Sequence, residues 1–182
     1  ERGITKSDIL KWKIGFCDEG EFEGRIIIPS FNEDGYCNYF IARTYLNDWI
    51  KYKNPNLSKD LVFNSLFIDW TQPVVLVEGV FDAIKAENSI PLLGSTLNDK
   101  SQLFKKIIKH KPIIYIALDN DARKKSLKII KSLLTYDIEV WKINTSNYTD
   151  VGAMTKEEFL LEKQKAVQTN HTDFLFYEAL NV

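Results

Sequence analysis

From Gln72 onward the chain alternates short apolar runs with helical stretches, and three of those runs lead into carboxylates. Val74-Val75-Leu76-Val77 runs straight into Glu78-Gly79-Val80-Phe81-Asp82. Ile113 to Leu118 runs into Asp119-Asn120-Asp121. Ile138 to Ile143 is followed, after a polar turn, by Asp150. Strands alternating with helices predict a parallel sheet with helices on both faces. In open sheets of that class, sites lie at the carboxyl ends of the strands. Glu78, Asp119 and Asp121 fall there.

The spacing predicts a strand at 74–77 and a helix at 81–88. A short strand at 90–93 leads through Gly94-Ser95-Thr96 to a helix over 99–110. Strand 113–118 leads to helix 122–135, and strand 138–143 leads past Asp150 to helix 155–167. Residues 171–180 form a last helix, whose Phe174, Phe176 and Tyr177 pack on the body or on a partner domain. Before this region, residues 5–12 read as a short helix capped by Thr5 or Ser7. Arg25 to Pro29 and Tyr36 to Tyr45 read as strands joined at Asn32-Glu33-Asp34-Gly35, a hairpin signal. The polar stretch 47–65 reads as a connector. The expected organisation is a small α+β subdomain over 1–70, a parallel α/β domain over 71–168 and a helical tail over 169–182.

Acids gathered at neighbouring strand ends repel one another. Like charges about 4 Å apart cost roughly 4 kcal/mol at an effective dielectric of 20. A divalent cation between them relieves this. Asp119 and Asp121 stand two apart, so on an extended chain both face the same way. Mg²⁺ prefers oxygen ligands and binds through one or two carboxylates, water and substrate phosphates. Glu78 arrives from a second strand end, with Asp82 one helical turn on. Gly79 leaves room for the backbone to turn and for a phosphate to approach. Taken singly, each acid pair also reads as a helix N-cap, where acids are favoured. Together on neighbouring strand ends they favour a metal site, with Glu78, Asp82, Asp119, Asp121 and Asp150 as candidate ligands.

Glu78-Gly79 with Asp82, followed by a strand ending in Asp119-x-Asp121, resembles the Toprim domain. Flanking residues narrow the resemblance. Arg2-Gly3-Ile4-Thr5 through Ile14-Gly15-Phe16 is similar to the entry of the catalytic core of DnaG-type primases. Gly24-Arg25-Ile26-Ile27-Ile28-Pro29, then Gly35, then Phe40-Ile41-Ala42-Arg43, resembles its following segment. Lys51-Tyr52-Lys53-Asn54-Pro55 resembles its connector, and Leu93-Gly94-Ser95-Thr96-Leu97 the stretch between the Glu and Asp-x-Asp motifs. Asp150-Val151-Gly152 resembles its late acid. The abbreviated motifs look more like a phage version. The chain departs from the family at Ala122-Arg123, at the single late acid and at Ile41-Ala42-Arg43, which lacks paired glycines.

The resemblance implies a Toprim-type α/β fold and metal-dependent synthesis of short RNA primers from NTPs on single-stranded DNA. It implies Mg²⁺ or Mn²⁺ as cofactor, Glu78, Asp119 and Asp121 as catalytic residues, and a replicative helicase as partner. Glu78 is a metal ligand or a proton acceptor. Arg43, Lys51, Lys53 and Gly79 are candidate contacts to nucleic acid or nucleotide. Tyr36, Tyr39, Phe40 and Tyr45 read as core more than as base-stacking residues, and Arg123, Lys124, Lys125 and Lys128 as a solvated helix face. Two rivals share the acids: a Toprim nuclease, and a non-catalytic module of a replication or recombination complex.

The bulk numbers agree with a folded domain: 182 residues, 45% hydrophobic and 13% aromatic. The net charge of −1 neither advertises nor excludes nucleic acid. Cys17 and Cys37 lack metal-site spacing and read as two reduced thiols. No signal peptide or long apolar span is visible, so the expected place is the cytoplasm, that of the host cell for a phage protein, with no membrane partner. The opening Glu1-Arg2-Gly3 reads as mid-sequence, an excised piece.

Overall fold

A computed structural model describes residues 3–47, 49–94 and 97–179, the side chains of Asn120, Asp173, Tyr177 and Glu178 excepted. Arg2, Ser95 and Thr96, quoted above for the resemblance, lie outside the described residues, as do the last three residues of the expected tail. The chain divides into two compact units, Gly3–Phe67 and Ile68–Val182.

The first unit opens with α1 (Lys6–Trp12), capped by Thr5. Its hydroxyl accepts from the Asp8 N–H, and the Asp8 carboxylate accepts from the Thr5 N–H at 3.0 Å. An antiparallel sheet follows in the order β1 (Gly15–Cys17), β2 (Arg25–Phe31), β3 (Cys37–Thr44). The β2–β3 hairpin turns where expected. The Tyr36 N–H donates to Asn32 Oδ1 at 2.9 Å, and Gly35 takes the left-handed φ of +83° that its turn position needs. Strand β1 was not anticipated, because three residues carry too little periodicity to register. Of the four aromatics read as core, Tyr39 is buried and Phe40 packs edge-on against Phe22, while Tyr36 and Tyr45 are exposed. Cys17 and Cys37 are both free thiols.

The second unit is a five-stranded sheet in the order β5-β4-β6-β7-β8. Strands β4 (Val74–Val77), β5 (Ser89–Pro91), β6 (Ile114–Ala117) and β7 (Val140–Lys142) are parallel. All four residues of β4 are buried, the pattern of a strand covered on both faces. Helices α2 (Val80–Lys85), α3 (Gln102–His110) and α4 (Arg123–Leu134) make the crossovers, and α5 (Lys156–Gln164) follows β7. Tyr115 and Trp141 pair across β6 and β7 and stack at 6.0 Å, and Lys163 of α5 lies 5.0 Å over the Tyr115 ring. Alternate residues point to opposite faces, and Ile116 lines a cleft with Arg123 and Ser126 of α4. The helices therefore cover both faces.

One strand runs against the pattern. β8 (Val167–Thr169) pairs antiparallel with β7 at the sheet edge. The expected helix over 155–167 ends instead at Gln164. Helix α6 (His171–Ala179) then returns onto α4, burying Phe174 with Lys131 5.6 Å over its ring. Phe176 stays exposed.

Asn88 closes the turn that sends the chain from α2 into β5. It sits at a left-handed φ of +46°. Its amide donates to the Asp69 carbonyl at 2.8 Å and the Pro73 carbonyl at 3.0 Å, and its Oδ1 accepts from the Asp69 N–H at 2.9 Å. This one side chain fixes the lead into β4, the strand that carries Glu78. Asn88→Ala removes three hydrogen bonds and leaves a Cβ residue at positive φ, so it should cost about 2–3 kcal/mol in urea denaturation. Asn88→Gly, which relieves the backbone but not the bonds, should cost less.

Candidate metal and nucleotide site

Val77 of β4 pairs in register with Ala117 of β6. The residues just beyond, Glu78 and Asp119, are thereby brought to the carboxyl ends of adjacent central strands. The chain then turns in each case into a helix, because Gly79 caps α2 and a single 3-10 turn over Asn120–Ala122 leads into α4. Asp121 lies in that 3-10 turn and is exposed. Asp150 caps a second 3-10 turn, Val151–Ala153, and is half-buried.

Asp119 is the electrostatic centre. Burial, then the charges of Asp82, Glu78, Asp150 and Asp121, push its carboxyl up to about 6. The five acids singled out in the sequence are thus close enough to feel one another. Two buried carboxylate oxygens have no hydrogen-bond partner, Asp119 Oδ1 and Glu78 Oε2. Burying such an atom unpaired is costly. An all-oxygen donor set with orphaned, mutually repelling carboxylates fits a hard divalent cation. Among the described residues, no three His, Cys, Asp or Glu side chains converge as a ready-made coordination shell. That is compatible with Mg²⁺, which takes few carboxylates and fills its shell with water and phosphate.

Asp82 behaves differently from the others. It is 6% exposed, and both its oxygens are engaged by backbone. Oδ2 accepts from the Gly79 N–H at 2.8 Å and Oδ1 from the Gly152 N–H at 2.8 Å. It therefore ties the start of α2 to the turn behind Asp150, and so holds Glu78 and Asp150 in relation. Gly79 also has a reason other than the expected one. Its φ of −129° is ordinary extended backbone, but a Cβ there would meet Asp82 Oδ2 at 3.3 Å. The Asp82 carboxylate would have to give by a few tenths of an ångström to admit a side chain there.

One residue, Lys125, departs from the sequence reading of helix α4 as a solvated face, while Arg123 is exposed as that reading has it. Lys125 Nζ lies 2.7 Å from Glu78 Oε1. Arg123 lines a cleft of about 400 Å³ together with Asp119, Ser126, Lys142 and Thr145. Partial burial and then the Arg123 guanidinium hold the Lys142 ammonium below its usual range. Ser126 Oγ, buried in this wall, has no partner. Two neighbouring cations and an open hydroxyl beside the acids make a cleft suited to an anion. No sequence spacing announces Lys142, since its strand is short and edge-ward.

Arg43, Lys51 and Lys53 come together in the first unit. The 51–53 segment runs antiparallel to the end of β3, with the Thr44 N–H donating to the Lys51 carbonyl at 3.1 Å and the Lys53 N–H to the Ala42 carbonyl at 3.0 Å. Arg43 donates to the Tyr52 hydroxyl at 2.6 Å, and Lys53 lies 3.5 Å from a Glu21 carboxylate oxygen. Lys51 is exposed. The three cations share one sheet edge, two of them already engaged.

No family model matches the chain. In sequence it is similar to a curated DNA primase of Thermotoga maritima, 29% identical over 177 residues, covering 85% of this chain and 31% of that protein. In structure it is similar to the zinc-binding and RNA polymerase domains of the Aquifex aeolicus primase, with a TM-score of 0.75, 21% identity, and coverage of 92% of this chain and 54% of that one. A DnaG primase catalytic domain bound to single-stranded DNA matches with a TM-score of 0.74 at 16% identity, over 97% of this chain and 72% of that one. The chain has the fold of a DnaG-type primase catalytic core, and spans about a third of the length of the curated primase it matches.

The two acids Asp82 and Asp119 should respond oppositely to amidation in chelated buffer. Asp82→Asn sets an amide donor against backbone donors and should cost about 1–3 kcal/mol. Asp119→Asn removes repulsion. The folded carboxyl titrates near 6 and its ordinary value is 3.8. Between those values the folded chain holds a proton the unfolded chain has lost, so wild-type stability falls as pH rises through the window. Above pH 6 Asp119→Asn should melt a few degrees higher than wild type, the scale of about 1 kcal/mol in a chain this size. The gap should close as pH falls towards 4, which thermal melts at several pH values will read.

Proposed function

We propose that this chain is the catalytic core of a DnaG-type DNA primase, joining NTPs into short RNA primers on a single-stranded DNA template. One observation carries the reading. Glu78 and Asp119 stand at adjacent strand ends, each with an unpartnered buried oxygen, in a fold shared with primase cores. The sequence similarity to a curated primase supports it, as does a matching catalytic domain that was solved with single-stranded DNA.

In each cycle a 3′ oxygen forms a bond to the α-phosphorus of an NTP. The bond from that phosphorus to the bridging oxygen breaks, pyrophosphate leaves, and the hydroxyl proton passes to solvent. Glu78, Asp119 and Asp121, with Asp150 beside them, would hold Mg²⁺ or Mn²⁺. When bound, such an ion neutralises phosphate charge and polarises the phosphoryl group. Glu78 is read as ligand rather than base, since its Oε1 is held by the Lys125 ammonium at 2.7 Å and its buried Oε2 is left without a partner. Asp82 positions two of these acids through backbone bonds. Arg123 and Lys142 face the cleft beside Asp119 and receive phosphate oxygens there. Arg43, Lys51 and Lys53 track template phosphates along their shared edge, a contact that weakens steeply with salt.

The RNA primer, a replicative helicase as partner of the whole protein, and a cytoplasmic place belong to the same reading. Among the described residues no helix is long and apolar enough to cross a membrane.

Incubation with single-stranded DNA, labelled NTPs and Mg²⁺ or Mn²⁺ should yield short labelled RNA on a denaturing gel. Asp119→Asn should lower incorporation by about 100-fold or more. Shortened DNA without incorporation would overturn the reading in favour of a nuclease.

A further inference from the structure

Lys125 stands in the first turn of α4, where a solvated side chain is expected, yet it is folded inward. Its side chain is 20% exposed and that of Glu78 27%, and the two meet at 2.7 Å. An exposed ion pair would carry little weight. This one is largely withdrawn from water, and it occupies one oxygen of a carboxylate assigned to the metal. The other oxygen, Oε2, is buried and unpartnered.

A divalent ion on Glu78 and the Lys125 ammonium cannot both be comfortable. A Mg²⁺–oxygen contact is about 2.1 Å, so an ion sharing Oε1 would lie within about 5 Å of the ammonium. At that range two positive centres repel strongly in a partly buried site. The Lys125 stem is long and flexible, and an ammonium offers three rotatable donors suited to phosphate. The cleft with Arg123 and Lys142 opens beside Asp119, the neighbour that also senses the charge of Glu78. The anion that would draw Lys125 away from Glu78 is therefore the one that arrives with the metal.

We propose, on the strength of the primase reading above, that Lys125 is a built-in counter-ion that competes with the metal for Glu78 and passes to the nucleotide's phosphates when metal and nucleotide bind together. It makes the site favour the metal–nucleotide complex over the bare ion. Glu78 stays oriented before substrate arrives, and free metal is held loosely.

The test is Mn²⁺ binding, followed by the electron paramagnetic resonance signal of the free ion, with and without a non-hydrolysable NTP analogue. Wild type is compared with Lys125→Met and Lys125→Gln, each checked for folding by circular dichroism, and with Asp119→Asn. Without nucleotide, both Lys125 variants should bind Mn²⁺ about 10-fold more tightly than wild type. Adding the analogue should tighten wild-type binding by a larger factor than it does in the variants. In primer extension the variants should show a raised KM for NTP, and Lys125→Arg should restore part of it. Equal or weaker Mn²⁺ binding in both variants overturns the inference, since Lys125 would then be a support for Glu78. Mn²⁺ binding in none of the proteins overturns the metal reading along with it.

Discussion

Mutual repulsion among five carboxylates is the constraint around which the second unit is arranged. Parallel pairing of β4 with β6 forces Glu78 and Asp119 to neighbouring ends, and the turns that follow β6 and β7 bring Asp121 and Asp150 near them. Nothing in the sheet's own stability asks for this. A fold that wanted only to cap α2 and α4 has no need to bury two carboxylate oxygens without partners. The response is divided. Asp82 keeps its charge, is held by two backbone N–H groups and becomes a brace, Glu78 is met by an ammonium, and Asp119 shifts its affinity for protons. Only the last two leave an oxygen ready for a ligand.

Much of this was legible in the sequence, for identifiable reasons. The run Val74–Val77 is apolar without alternation because the strand is buried on both faces, and that alone places it mid-sheet. Alternation with helices then fixes parallel pairing, and parallel pairing fixes where Glu78, Asp119 and Asp121 must emerge. Short strands outside the strand–helix alternation that revealed β5 and β7 were not legible. β1 and β8 have three residues each, below the length at which a period of two can be told from chance. Val167-Gln168-Thr169 also follows directly on a helix-forming stretch, so nothing local marks where α5 stops.

Side-chain pairing was the other blind spot. Arg123, Lys124, Lys125 and Lys128 look alike as a string, a row of cations opening a helix. The fold separates them, because two helical steps of about 100° each put Lys125, paired with Glu78 at the β4 end, on nearly the opposite side of the helix from Arg123, which lines the cleft with Lys142 of β7. The same limit applies to Gly79, where the Asp82 carboxylate lies 3.3 Å from where a Cβ would stand. Sequence gives the residue and its spacing. Which neighbour occupies the space depends on tertiary contacts between Asp82 and Gly152, seventy positions apart.

The acids gather without converging, and physical chemistry gives a reason. Closing three carboxylates to ligand distance with no cation among them would raise repulsion well beyond what one shifted proton affinity absorbs. A site built for tight, permanent metal would need further donors to hold its ligating carboxylates in place. One built to receive metal with a triphosphate does better to stay open, since the phosphates bring both the missing ligands and the negative charge that draws nearby cations off the acids. Asp82 then has a clear role: its two backbone bonds tie the β4 end to the Asp150 turn, while Asp119 keeps an unpartnered oxygen. A braced Asp82 and an unpartnered Asp119 oxygen are two halves of one arrangement, and the same residue type serves both because only one of the two has its oxygens met by backbone.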